Sequence, residues 1–123
     1  MPEKMITSSK NKNVVRGRKG EAEAIAFLEK TGYKIIATNF KVALGEIDIV
    51  AKDKDERIIF VEVKARDTAR FGYPREAVTL KKQQTIRQVA QMFLRVKHLT
   101  KSNIRFDIVE ILAGEITHIK NAF

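Results

Sequence analysis

The segments Gly45-Glu46-Ile47-Asp48-Ile49-Val50 and Ile58-Ile59-Phe60-Val61-Glu62-Val63-Lys64 decide the fold. Each is a short run rich in Ile and Val, the composition of a strand buried on at least one side. Between them Lys52-Asp53-Lys54-Asp55-Glu56 is polar and has the length that closes a β-hairpin. A turn centred on Asp55 sets Asp48 opposite Glu62 and Val50 opposite Phe60. Alternation then puts Glu46, Asp48 and Val50 on one face of their strand, and Phe60, Glu62 and Lys64 on one face of the next. Opposed carboxylates weaken a sheet, and each is costly to desolvate. A divalent cation held between them would reverse that balance. The plainer alternative is a solvent-facing hairpin in which Lys64 neutralises Glu62; Val50 and Phe60 on the same face argue that it is not simply wet.

Working outward, a helix is expected from about Arg18 to Lys30, stopped by Gly32, with Ala24, Ile25 and Leu28 as its apolar stripe. Glu21 projects from that same face, as a first-turn acid or as a site residue. A strand over Tyr33–Thr38 and a loop through Asn39-Phe40-Lys41 lead into the hairpin. After Lys64 the stretch from Ala65 to Pro74 reads as a basic loop punctuated by Gly72 and Pro74. A second helix is expected over about Thr79–Lys97, with Ile86, Val89, Ala90 and Phe93 at core spacing and Gln83 extending that stripe. A fourth strand at Ile104–Ile111 and a short one at Ile116–Ile119 close the chain. The helical connection before the fourth strand permits parallel pairing. The expected fold is α/β (α+β), a mixed sheet flanked by helices in the order αβββαβ plus a short C-terminal strand.

A length of 123 residues suits one domain, placed at residues 14–123 after a mobile basic tail over residues 1–13. The net charge of +9 makes a polyanion the first partner to consider, against a basic surface that serves only solubility. The absence of cysteine excludes disulfides, zinc–thiolate sites and thiol catalysis. No stretch has the length of a membrane span and no signal sequence is visible, so a cytoplasmic protein without membrane association is expected.

Two carboxylates, a backbone carbonyl and water form a hard, oxygen-rich donor set of the kind that holds Mg²⁺ or Mn²⁺. Lys64 is two residues from Glu62 and so shares its face. There it could orient a water or offset charge on a phosphorus. Glu46 is either a third carboxylate or a flanking residue. His98 and His118 have no partners at ligand spacing and read as surface residues, and no serine sits in a nucleophile pattern. Candidate nucleic-acid contacts are Arg16, Arg18 and Lys19 near the N-terminus, Arg66 and Arg70 in the basic loop, and Lys81, Lys82, Gln83 and Arg87 on the second helix. Phe71 and Tyr73 could stack on bases or anchor their loop on the core.

Gly20-Glu21, the Gly45–Val50 segment, Phe60-Val61-Glu62-Val63-Lys64-Ala65-Arg66, Phe71-Gly72-Tyr73-Pro74 with Glu76-Ala77-Val78, and Lys81-Lys82 together resemble the YraN-like family of small bacterial proteins. That family is grouped with the restriction-endonuclease-like, PD-(D/E)XK superfamily, and the motifs are also similar to those of archaeal Holliday junction resolvases. The resemblance covers about Arg16 to Arg105. It implies Asp48, Glu62 and the Val63 carbonyl as ligands of Mg²⁺ or Mn²⁺, Lys64 as catalytic lysine and Glu21 as the helical acid. It also implies hydrolysis of DNA, branched DNA among the candidates, and a homodimer if two strands are cut. Val42-Ala43-Leu44 departs from the more basic or polar residues usual at that point. A module of the same fold that binds nucleic acid without cutting it is the alternative.

Overall fold

A computed structural model describes residues 12–67 and 78–123, with side chains described from Lys19 onward in the first helix. The elements are α1 (Lys12–Lys30), β1 (Lys34–Val42), β2 (Gly45–Lys52), β3 (Ile58–Arg66), α2 (Leu80–Val96), β4 (Ile104–Leu112) and β5 (Glu115–Ile119). This is the expected order, a mixed α+β architecture with one five-stranded sheet ordered β1-β2-β3-β4-β5. Strands β3 and β4 are parallel from Ile58↔Ile104 to Arg66↔Leu112, and the other neighbouring pairs are antiparallel. The crossover containing α2 supplies the length that parallel pairing requires.

The helices cover opposite faces of the sheet. Ala24 and Leu28 of α1 pack with Ile49, Ala51, Ile59, Val61 and Val109. On the other face Ile86, Val89, Ala90 and Phe93 of α2 pack with Val50, Ile58, Phe60, Phe106 and Ile108. Residues on both faces of β3 are therefore buried, which is why its sequence is an almost unbroken apolar run. Phe93 meets Phe60 and Phe40 edge-on, with centroids 5.9 and 5.1 Å apart. Thr79 caps α2, its Oγ1 accepting from the Lys82 N–H at 3.2 Å.

Several boundaries differ from expectation. Helix α1 begins at Lys12, before Arg18 and inside the expected tail. Local propensity does not account for the extension, since Asn13, Val14, Val15 and Gly17 are weak helix formers. Asn39-Phe40-Lys41 is strand and not loop, pairing Phe40 with Ile47 and Lys41 with Glu46. Phe40 gains Phe93 as a partner, and Asn39 takes the left-handed φ of 51° that asparagine tolerates. Strand β3 runs on through Ala65 and Arg66, held by parallel pairing with Ile111 and Leu112. The remaining basic loop, with Arg70, Phe71 and Tyr73, lies outside the described residues, as do residues 1–11 of the expected tail.

Candidate active site

The site lies where β2 parts from β3. Their ladder has the expected register, Val50 opposite Phe60, and ends at Ile49↔Val61. The next rungs would oppose Asp48 to Glu62 and Ile47 to Val63. Instead the Val63 N–H donates to Asp48 Oδ2 at 2.8 Å, so a side chain replaces the backbone of the next rung. The N–H and C=O of a strand residue point the same way, so the Val63 carbonyl also faces this gap.

The expected alternation fails at this point. Ile47 and Val50, three residues apart, both pack on the α2 side, while Ile49 packs on the α1 side. Asp48 therefore does not share a face with Val50; its carboxylate lies in the gap between strands. On β1, Asn39 takes a left-handed φ and stands between the pairs Thr38↔Ile49 and Phe40↔Ile47, level with the point where the alternation breaks.

Glu62 and Lys64 project toward α2. The Glu62 side chain is 6% exposed, and its Oε2 is 3.5 Å from Lys64 Nζ and 3.3 Å from Lys82 Nζ. Glu110, buried on β4, stands beside Lys64 in the parallel register. Two glycines let the helices close on this region. A Cβ at Gly20 would lie 3.1 Å from Ala65 Cβ, so α1 approaches β3 closely enough for Glu21 to act on Asp48. A Cβ at Gly45 would lie 2.7 Å from Thr85 Cγ2, so α2 descends onto the start of β2.

These acids crowd one another. Burial, then Glu62, with smaller contributions from Glu21 and Glu46, raise the Asp48 carboxyl from the ordinary 3.8 to about 7, against the opposing Val63 hydrogen bond. A cation would relieve this excess of negative charge, and the oxygen donors suit a hard ion. Among the described residues no group of three acidic or histidine side chains is placed to enclose a metal. An ion here would rest on Asp48 and Glu62, with the Val63 carbonyl and water completing its shell.

The other basic candidates are more scattered. Lys19 and Lys81 are exposed, and Arg66 is half-buried at the end of β3. Gln83 Nε2 donates to the Val78 carbonyl at 3.2 Å, closing the entry to α2. The Arg87 guanidinium lies 4.7 Å from the Phe106 ring centroid and 5.7 Å from that of Phe123, a cation–π stack. The side chains of Arg16 and Arg18 are outside the described set.

A second charged cluster escaped the sequence reading. Asp107 is fully buried and receives Arg105 Nε at 2.8 Å and Nη2 at 2.7 Å, and the Asn121 N–H at 2.9 Å. His118 Nε2 is 2.7 Å from the same carboxylate, and the His118 side chain is only 7% exposed, contrary to its expected surface position. Burial works to raise the Asp107 carboxyl, but His118, Arg105 and the Asn121 amide together hold it below the usual range. Asp107 and Asp48 thus interrupt similar apolar strands with opposite outcomes. The first has a guanidinium, an imidazole and a backbone donor around it and acts as a structural staple, whereas the second has acids acting on it. Arg105, two residues before Asp107 on the same face, was the available signal.

The uncharacterised protein family UPF0102 matches residues 20–111, a span that includes Glu21, Asp48, Glu62 and Lys64. Similar chains include UPF0102 proteins of Acetivibrio thermocellus (45% identical, covering 94% of this chain and 95% of that one) and Caldicellulosiruptor bescii (48%, covering 87% and 95%). Another, from Clostridioides difficile, is 45% identical over 90% of this chain and 98% of its own. A chain in the structure of an EndoMS–dsDNA2 complex aligns with a TM-score of 0.42 at 19% identity, over 76% of this chain and 34% of that one, too loosely to assign a fold or ligand. By sequence and over nearly its full length, the chain belongs to the UPF0102 family, the YraN-like family that its motifs resemble.

Proposed function

We propose that the protein is a Mg²⁺- or Mn²⁺-dependent endonuclease hydrolysing DNA phosphodiester bonds, with branched or otherwise structured DNA as the substrate class to test first. The observation that carries this reading is the fork itself. An aspartate is pushed up to about 7, in part by a nearly buried glutamate that bears two lysines, in a chain with net charge +9. At Asp107, by contrast, a guanidinium, an imidazole and a backbone amide all meet the carboxylate. A bound divalent ion would supply Lewis acidity toward the phosphate oxygens. Asp48 and Glu62 would hold it, and Glu21 would add negative potential from α1. Lys64 would orient the attacking water or donate to a phosphate oxygen as charge develops. Lys19, Arg66 and Lys81 are exposed or half-exposed cations on the elements around the fork, suited to contacting the DNA backbone. Cutting both strands of a junction would call for a homodimer.

A second reading, a non-catalytic nucleic-acid-binding module, is favoured by the Lys64 and Lys82 ion pairs, which neutralise Glu62 without an ion. Incubation with linear, single-stranded and four-way DNA in Mg²⁺ or Mn²⁺ separates the two. The endonuclease reading expects cleavage that is lost in Asp48→Ala and with chelator. Salt-sensitive binding with no cleavage above the Asp48→Ala control would leave the binding module.

A further inference from the structure

Lys82 is a basic residue of α2 whose ammonium reaches the candidate metal site: Nζ is 3.3 Å from Glu62 Oε2. Lys64 contacts the same oxygen at 3.5 Å, but the two lysines are held differently. Lys64 is part of β3, 24% exposed, and has buried Glu110 opposite it in the sheet. Lys82 arrives from another element, and its side chain is 43% exposed. Its location is also unfavourable for a purely stabilising cation. Thr79 caps the helix, so Lys82 lies in the first turn, where the helix dipole disfavours positive charge, and no acid accompanies it there. That turn instead favours an anion, and Lys81 adds a second positive charge.

We propose that Lys82 is a positioning residue that occupies the cation's place on Glu62 and is handed over to the DNA phosphate when metal and substrate bind together. The inference rests on the metal-dependent reading above. Without DNA, the ammonium competes with a divalent ion for Glu62, so the ion binds weakly. A phosphate arriving at the α2 N-terminus offers Lys82 a new partner and frees the carboxylate. Metal and DNA binding are then mutually reinforcing through one side chain.

Calorimetric titration of Mn²⁺ into the wild type, Lys82→Met and the control Lys101→Met, without DNA, reads the competition directly. Lys82→Met keeps the apolar stem, and Lys101→Met removes one positive charge beyond the far end of α2. Loss of an ion pair and of a cation beside the site should tighten Mn²⁺ binding by roughly three- to tenfold in Lys82→Met, with no such change in Lys101→Met. Repeated with saturating uncleavable phosphorothioate DNA, the wild type should gain Mn²⁺ affinity and Lys82→Met should gain little. If the wild type binds Mn²⁺ in an Asp48-dependent way but Lys82→Met binds no tighter, the handover is wrong and the metal site stands. If neither protein binds Mn²⁺ with or without DNA, both fall together.

Discussion

Asp48→Asn removes a carboxylate that the fold resists ionising, while keeping an oxygen to accept the Val63 N–H now bonded at 2.8 Å. The folded-state carboxyl is raised from 3.8 to about 7. At about 1.4 kcal/mol per pH unit, full ionisation costs the native state up to ~4 kcal/mol. The side chain keeps some contact with water, so about 2 kcal/mol is the expected gain, a rise of ~8 °C in Tm for a chain of this size. The sign follows from the raised value. The cost is absent below about pH 4, grows between 4 and 7, and is complete above 7. Thermal melts of wild type and variant at pH 8 and pH 4 should therefore show the advantage only at the higher pH. Mg²⁺ or Mn²⁺ should narrow the gap at pH 8 by stabilising the wild type alone. A variant less stable than wild type at pH 8, or a gain that persists unchanged at pH 4, would refute the argument that the fork stores unfavourable charge.

Asp107→Asn should act in the opposite sense, costing about 3–5 kcal/mol near neutrality because Arg105 loses its carboxylate partner in a nearly buried site. Its lowered carboxyl means that the wild-type contribution is present above the ordinary 3.8 and vanishes as the pH falls below it, readable by urea denaturation across that range. Gly45→Ala should lose about 1–3 kcal/mol by pushing against Thr85. Adding Thr85→Ala should restore most of that loss in the same denaturation assay. Lys64→Met should keep Asp48-dependent Mn²⁺ binding by calorimetry and lose cleavage by at least about 100-fold, the usual scale for a residue assisting proton transfer. DNA affinity should fall with salt, and removing Arg66 or Lys81 should each reduce the logarithmic salt slope by about 1 in filter binding.

The order of elements, the hairpin register and the parallel β3–β4 pair were legible because they follow from local apolar runs, polar turns and one long crossover. Motif resemblance and strand pattern both pointed to Asp48, Glu62 and Lys64. Less legible was the manner of their meeting. Period-two alternation assumes a regular strand, and the break at Asp48 lies level with Asn39, whose left-handed backbone no local pattern announces. The expected loop at Asn39–Lys41 failed for a related reason, since Phe40 becomes strand through a partner, Phe93, more than fifty residues away. Lys82 looked like one more surface cation because only tertiary packing of α2 brings it to Glu62. His118 looked unpartnered because Asp107 lies on the neighbouring strand and not at ligand spacing.

Crystals soaked in Mn²⁺ and measured for anomalous scattering provide the most direct examination of the fork. The expected result is a peak at coordination distance from Asp48 and Glu62, with the Val63 carbonyl in its shell and the Lys82 ammonium displaced from Glu62. Absence of a peak there, with both lysines still on Glu62 and crystals that scatter manganese elsewhere or not at all, would contradict a metal-dependent centre.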